Sequence, residues 1–347
     1  MIDFRYHIVS LIAVFLALAV GIVLGAGPLQ QPIGDQLTEQ VEQLRQEKEE
    51  LRVELEATQA HVERQRTFIE AASGRLLEGA LTDVAVSVVA LPDADPTLTD
   101  SLVAMMERAG ADLVANFALT PAWVDSDNAD QREELAADLQ AQLSIPVAQD
   151  AEPAQILGRV LGQALTAIDP LDSTAIPDSS TQAYTSLEDA GLLAQNLAPT
   201  TPAEVVLVIA PAPSDDDETD LTLELQTLVG MGDAVVLAGH DGNDENPDLV
   251  SMVRASATAA SVIATVDSVD EVAGQVLVPL AVQVMTFEQV VGHYGLAADA
   301  TAIVPPVVER PVETVPDPDP STDAESTDGP EPSPTPTTED DATADAS

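Results

Sequence analysis

The sequence predicts an α/β protein with an N-terminal transmembrane helix, a coiled-coil stalk, a three-layer, mostly parallel, Rossmann-like head and a disordered acidic tail. Three observations predict it: an apolar run from Ile8 to Gly27, a heptad pattern from Leu37 to Leu76, and alternating strand-like and helix-like segments after it. The predicted divisions are an anchor at 1–30, a coiled coil at 33–78, a head at 80–298 and a tail at 299–347.

The first element is a run of about twenty residues that contains no charged side chain. At ~1.5 Å per residue such a helix spans ~30 Å, the hydrocarbon thickness of a bilayer, while it satisfies its own backbone hydrogen bonds. Signal-peptide cleavage after Ala26 or Gly27 is the competing interpretation, but it would place Leu24 or Pro28 unfavourably around the cut. Arg5 on the N-terminal side favours a cytoplasmic N-terminus and an extracytoplasmic body. We therefore expect membrane lipid to contact this run.

The second element has apolar or small side chains at the 4-3 spacing that a coiled coil requires. The predicted seam consists of Leu37, Val41, Leu44, Leu51, Leu55, Val62, Ile69, Ala72 and Leu76, with polar interruptions at Lys48, Thr58 and Gln65. Glu47 at a g position can reach Arg52 at an e position of a parallel partner helix. A single helix packed on the head is the alternative. We expect a parallel homo-oligomer.

The head is predicted from strands that alternate with helices, a pattern typical of a mostly parallel sheet covered on both faces. The predicted strands are 83–90, 112–118, 204–210, 234–238 and 261–266, and the predicted helices are 97–109, 128–143, 152–167, 183–195, 219–230, 247–257 and 270–286. We expect His293 and Tyr294 to close the last helix. Beyond Pro305 the chain is rich in Pro, Ser, Thr and acidic residues, so it is expected to be disordered.

Charge and composition exclude several classes of function. Sixty acidic and 12 basic residues give a formal charge of −48, which repels nucleic acid and anionic headgroups. The chain contains no cysteine, so disulfides, thiolate metal sites and cysteine nucleophiles are excluded. It also lacks glycine-rich phosphate-binding motifs and a G-x-S-x-G elbow. We therefore expect no enzymatic activity and no cofactor.

Acidic loops follow four of the predicted strands, at the edge where parallel sheets bind ligands. They contain Asp93 and Asp95, Asp215–Glu218, His240–Glu245 and Asp267–Glu271. Candidate metal ligands are His240, Asp241 and Asp244, because hard cations prefer oxygen ligands and imidazole can join them. The alternative is that these acidic side chains cap helix N-termini. Both interpretations stay open at this point.

Three stretches carry a resemblance to a known family. The N-terminal sequence MIDFRYHIVSLIAVFLALAVGIVLGAGPL, the segment Val262–Gln283 (VIATVDSVDEVAGQVLVPLAVQ) and Gly292–Gly295 (GHYG) resemble the actinobacterial copper-transporter family typified by MctB. The likeness covers roughly residues 1–300. It implies an envelope protein linked to copper efflux or tolerance, described for the family as a pore in a mycolic-acid outer membrane.

Three classes of function remain open. The first is the copper role implied by the resemblance. The second is a structural, scaffolding coiled-coil envelope protein that handles no metal directly. The third is a ligand sensor or an enzyme that uses the acidic edge of the sheet.

Direct copper binding has little support in the sequence itself. Cu(I) prefers thiolate or thioether ligands, and Cu(II) prefers imidazole. The chain has six methionines, of which only Met105 and Met106 are adjacent, and four scattered histidines. We expect no high-affinity Cu(I) site in the head, and weak binding of copper or other cations at the acidic edge.

Overall fold

The N-terminal part of the chain forms two helices, α1 (Phe4–Ala26) and α2 (Gln30–Leu77). The structure is a computed structural model that describes residues 4–26, 30–148, 150–213, 218–232, 234–242 and 248–308. Helix α1 is apolar and long enough to cross a membrane over Phe4–Gly25, with a mean hydropathy of 2.9 and none of it buried. The predicted tail beyond residue 308 lies outside the described residues.

The head consists of a sheet and seven helices in the described part of the chain. Its strands are β1 (Ala85–Ala90), β2 (Asp112–Leu119), β3 (Leu193–Leu197), β4 (Val205–Ile209), β5 (Val235–Ala238), β6 (Ile263–Val266) and β7 (His293–Tyr294). Its helices are α3 (Pro96–Arg108), α4 (Ala129–Leu143), α5 (Pro153–Thr166), α6 (Asp178–Asp189), α7 (Glu218–Met231), α8 (Leu249–Ala255) and α9 (Val272–Glu288).

The strand order is β3-β2-β1-β4-β5-β6-β7, and every pairing is parallel except that of β3 with β2. The order of the first six strands is that of a classic dinucleotide-binding sheet, although here β3 is antiparallel. The direction of the chain through the sheet reverses between β1 and β4, which makes their carboxyl ends a topological switch point. The predicted α/β class and mostly parallel sheet are confirmed.

Helices cover both faces of this sheet, as the alternation predicted. One apolar cluster joins the sheet to α4, α5, α6, α7 and α8, and it includes the side chain of Trp123. The other cluster joins the opposite face to α3, α9 and the end of α2. Strand β4 is buried at all five positions because both of its faces are covered, which explains its continuous apolar sequence.

The last turns of α2 dock on the head, whereas the described side chains from Leu37 to Phe68 are exposed. Ser73 and Leu77 are buried, and Ile69 packs against the cluster that contains α9. Gln283 on α9 donates a hydrogen bond of 3.1 Å to the carbonyl of Ala80, just beyond α2. Ile69 was predicted to lie in a seam between helices, but in the structure it contacts the head.

Helices α5 and α7 cross with their backbones in contact, because glycines lie at the crossing. A Cβ atom at Gly158 would overlap the carbonyl oxygen of Thr227, and one at Gly162 would overlap that of Met231. From the other side, a Cβ at Gly230 would overlap the carbonyl of Gln155. This crossing holds α7 firmly against the sheet, next to the switch point.

Three local predictions were wrong. The predicted helix at 183–195 ends at Asp189, since Gly191 turns the chain with a φ of 73° and the chain continues into β3. His293 and Tyr294 form the short strand β7 and do not cap a helix. Residues 299–308, placed in the tail by the sequence, contact the head: Ala302 bridges to Tyr294, and Val308 is buried.

Candidate functional site

The carboxyl edge of the sheet collects acidic side chains, as the parallel topology requires. In the described residues this edge carries Asp93 and Asp95 after β1, His240 and Asp241 after β5, and Asp267 after β6. The predicted residues Asp215–Asp217, Asp244 and Glu245 lie outside the described residues.

Part of this acidity caps helices. Asp95 Oδ1 accepts a hydrogen bond of 2.8 Å from the amide of Thr97 at the start of α3. Asp248 accepts bonds from the amide and the hydroxyl of Ser251 at 2.9 and 2.6 Å, and from the amide of Gly242 at 3.0 Å. The capping interpretation therefore accounts for these two carboxylates.

Asp267 has a different role, because it is almost fully buried beside a buried arginine. The Arg254 side chain, 5% exposed, places Nη1 2.9 Å from Asp267 Oδ2 and 2.7 Å from Asp299 Oδ1. Asp267 Oδ1 accepts hydrogen bonds from the amides of Leu296 and Ala297 at 2.7 and 3.1 Å. Its Oδ2 has no well-directed hydrogen bond, so charge attraction to Arg254 is what holds that oxygen.

Arg254 also joins a hydrogen-bond chain that reaches His293. Its Nε donates to Thr265 Oγ1 at 2.9 Å, and His293 Nδ1 lies 3.0 Å from that oxygen. His293 Nε2 lies 3.2 Å from the carbonyl of Ala260, which can only accept. This pattern assigns the proton to Nε2 and makes Nδ1 the acceptor. Burial, aided by the charge of Arg254, lowers the pKa of His293, so the ring is neutral at pH 7.

The predicted metal ligands lie next to this network. Burial raises the pKa of Asp241, and the charges of Asp267, Asp248 and Asp299 raise it further against the opposing effect of Arg254. His240 Nδ1 is buried without a hydrogen-bond partner among the described residues. Within those same residues, no three His, Asp or Glu side chains are placed to hold a metal ion. A site made by His240, Asp241 and Asp244 stays a prediction, since Asp244 is not described.

Soft ligands for copper are not gathered at this edge. Met105, Met106, Met231 and Met285 are all buried in the two apolar clusters. They fill core space, which is the usual role of methionine. Met105 and Met106, the adjacent pair, lie on α3 against the face of the sheet that also packs α9.

Sequence reasoning missed Arg254, which has the most contacts with acidic groups at this edge. No motif marks it. The available signal was the scarcity of basic residues in this part of a strongly acidic chain, because Arg254 is the only Lys or Arg between Arg159 and Arg310. A lone arginine in such surroundings is expected to pair with carboxylates.

Replacing Arg254 by Met should destabilise the head by roughly 3–5 kcal/mol, because it leaves Asp267 buried without a counter-charge. Urea unfolding of the full chain in detergent measures this loss. Arg108→Met, at an exposed arginine on α3, is the matched control and should change stability by less than about 0.5 kcal/mol. The double variant Arg254→Met, Asp267→Asn should recover part of the loss. An equal effect of the Arg254 and Arg108 substitutions would contradict the assignment.

The comparisons with known proteins agree with the resemblance seen in the sequence motifs. A family model described as "Copper transport outer membrane protein, MctB" matches residues 1–305. The relative named "Copper transporter MctB" from Mycobacterium leprae (strain TN) is 30% identical over 319 residues, which cover 88% of this chain and 100% of the relative. Its namesake from Mycobacterium tuberculosis (strain ATCC 25618 / H37Rv) is 27% identical over 313 residues, 87% of this chain and 99% of the relative. The chain therefore belongs to the MctB family of copper transport outer membrane proteins.

Proposed function

We propose that this protein is a single-pass membrane protein of the cell envelope that supports copper efflux or tolerance, with its head outside the cytoplasm. The observation that carries the proposal is helix α1, which exposes its apolar surface along its whole described length in a chain of the MctB family. The relatives are named copper transporters, which supports the copper role.

The anchor follows from the surface of α1. All of its side chains from Phe4 to Gly25 are exposed, so the helix has no apolar partner in the described part of the chain. Lipid would cover this surface at ~25 cal/mol per Å² of apolar area removed from water. The only basic residue at its N-terminal end is Arg5, which favours that end in the cytoplasm.

Helix α2 supports parallel self-association. Leu44, Leu51, Leu55 and Val62 are each 56–63% exposed and lie on the predicted seam. A second copy would bury this stripe, and a membrane anchor at the start of each α2 helix orients the copies in parallel. Arg52 forms only an exposed i,i+4 pair with Glu56 at 3.1 Å, a weak interaction that leaves it able to meet a partner's glutamate.

The copper role is proposed to depend on assembly or on partners and not on a tight Cu(I) site in one chain. Cysteine is absent, and four of the six methionines are buried in the core. A single apolar helix cannot enclose a pore, so transport would need several chains or another protein. If transport belongs to an assembly, the copper role named for the family is consistent with the lack of cysteine and the buried methionines in this chain.

Deletion of the gene should make cells more sensitive to copper, and the full chain should restore growth from a membrane fraction that resists carbonate extraction. A chain in which Leu16 and Leu18 of α1 are both replaced by Arg should fail to restore it, because charges in the bilayer core oppose insertion. Growth on copper plates and fractionation measure both effects. Restored growth from the soluble fraction, or a mature N-terminus near Pro28, would contradict the proposal. Partners that co-purify without any copper phenotype would favour the scaffolding alternative.

The double substitution Leu51→Asp, Leu55→Asp should dissociate the oligomer, because it places charges in the seam where each leucine contributes ~1.5–3 kcal/mol by burial. Val53→Asp is the matched control: Val53 is 57% exposed but lies off the seam. Analytical ultracentrifugation of the full chain in detergent measures the mass. If the double variant and the control have the same mass, the seam does not hold the oligomer.

The purified full chain in detergent should not compete with a Cu(I) chelator of high affinity, because cysteine is absent and four of the six methionines are buried. Spectroscopic titration of the copper–chelator complex measures this. Substitution of His240 and Asp241 by Asn should leave the titration unchanged. Stoichiometric removal of Cu(I) from the chelator would restore direct copper handling as the mechanism.

A further inference from the structure

A second, separate feature lies at the switch point between β1 and β4. A cavity of about 330 Å³ opens there, between the segment that follows β1, the segment that follows β4 and the N-terminal half of α7. Its lining includes three prolines and the side chains of Asp93, Val124, Asp220, Leu221 and Glu224. Its size falls at the lower end of the range for small-ligand pockets, and open α/β sheets bind ligands at this position.

Glu224 is the unusual member of this lining. Glu224 is only 3% exposed, and its Oε2 has no hydrogen-bond partner among the described residues. A buried polar atom without a partner is costly in free energy, because it has lost its bonds to water and gained none in the fold. An atom left so in a cavity wall indicates a partner that the described residues do not supply.

The backbone of α7 that carries Glu224 is fixed by close packing on α5. Three residues further along α7, Thr227 accepts a hydrogen bond of 2.8 Å from the buried Trp123 Nε1. At the same residue the α7 backbone contacts Gly158 of α5, where no side chain would fit. The carboxyl group is therefore presented to the cavity by a fixed scaffold.

The charges around Glu224 are mostly negative. Burial raises the pKa of Glu224 to about 8, and the charges of Asp220 on α7 and Asp93 after β1 add to this rise. The positive charge of Arg132 on α4 acts on Asp220 and Asp125, and this side chain donates to the carbonyls of Ala122 and Asp125 at 2.9 and 2.6 Å. Glu224 thus keeps its proton at pH 7 and loses it as the pH rises through about 8.

The lining selects among classes of ligand. Anions are repelled by the carboxylates of Asp93 and Asp220, and no basic residue is found among the described residues that line the cavity. A bare metal ion is disfavoured, since no three acidic or histidine side chains of the described residues are placed around a common ion position. The prolines, Val124 and Leu221 provide apolar walls next to the carboxyls. An organic cation matches both parts, with N–H donors for the oxygens and an alkyl stem for the walls.

We propose that this cavity binds a small organic cation, an alkyl-ammonium or alkyl-guanidinium compound, with its charged group against Glu224 and its stem along the prolines. The site is distinct from the network of Arg254, and the proposal does not depend on the copper role. Binding replaces the proton of Glu224 by the charge of the ligand, so affinity should increase with pH while the ligand stays protonated.

The test is calorimetric titration of the full chain in detergent with butylammonium and butylguanidinium chloride, and with 1-butanol as the uncharged analogue. We expect one equivalent of each cation to bind, and Glu224→Gln to weaken binding about tenfold or more because the charge-assisted bonds are lost. Affinity of the unsubstituted chain should rise at least about fivefold from pH 6.5 to pH 8.5, and this rise should vanish in Glu224→Gln.

Two controls separate the site from general attraction to an acidic protein. Glu204→Gln removes an exposed carboxylate that precedes β4, at the opposite edge of the sheet, and should leave binding unchanged. The single tryptophan, Trp123, contacts α7 through Thr227, so its fluorescence reports whether Glu224→Gln keeps the native packing. The proposal would be overturned if both variants bound the cation equally or if 1-butanol bound as well as the cations. Displacement of the cation from Glu224 by millimolar CaCl₂ would overturn it as well.

Discussion

The ion pair between Arg254 and Asp267 is the interaction on which the acidic edge of the head depends. Through Asp267 it ties the end of β6 to the amides of Leu296 and Ala297, and through Asp299 it holds the segment that follows β7. A buried pair of this kind adds little net stability compared with an apolar core, but losing one partner is severe. One guanidinium therefore links the end of β6 to Tyr294 in β7 and to Asp299 in the segment that follows.

The two halves of this edge accommodate negative charge in different ways. Near β6, the charge of Asp267 is offset by Arg254, and the neutral His293 continues the hydrogen-bond chain. Near β1 and β4, Glu224 is buried with its pKa raised to about 8, so a retained proton replaces a counter-charge. In the first arrangement Asp267 Oδ2 faces the charge of Arg254, whereas in the second Glu224 Oε2 has neither a hydrogen-bond partner nor a counter-charge among the described residues, which is why a ligand is proposed there and not at Arg254.

The family is named for copper transport, whereas the described side chains of a single chain do not form a copper site. Copper transport is the property named for the family, yet the described structure buries most of its thioethers and gathers no metal-binding group of side chains. The features that extend beyond the head are an apolar helix and a long exposed one. Both are elements that join a chain to a membrane or to copies of itself, so the assembly is where a copper role is proposed to arise.

The sequence by itself determined the features that depend on local pattern. The apolar run of α1, the long helix α2 and the continuous β-branched runs of β1, β4 and β5 were predicted because hydrophobic period and length are local properties. The parallel order of the central strands followed from their alternation with helices. The family was evident from motifs that combine rare residue orders.

Only the tertiary structure decided which groups meet. Strand β3 was mistaken for a helix because LAQNL has little strand preference of its own and is held by pairing with β2. Ile69 carries a heptad signal, but in the folded chain it packs against the apolar cluster of the head. Arg254 pairs with Asp267 and Asp299 across 13 and 45 positions of the chain, and the pKa of Glu224 is raised first by burial and then by the charges of Asp220 and Asp93. Such distances and burial are properties of the folded chain, because no local pattern in the sequence records which surfaces pack together.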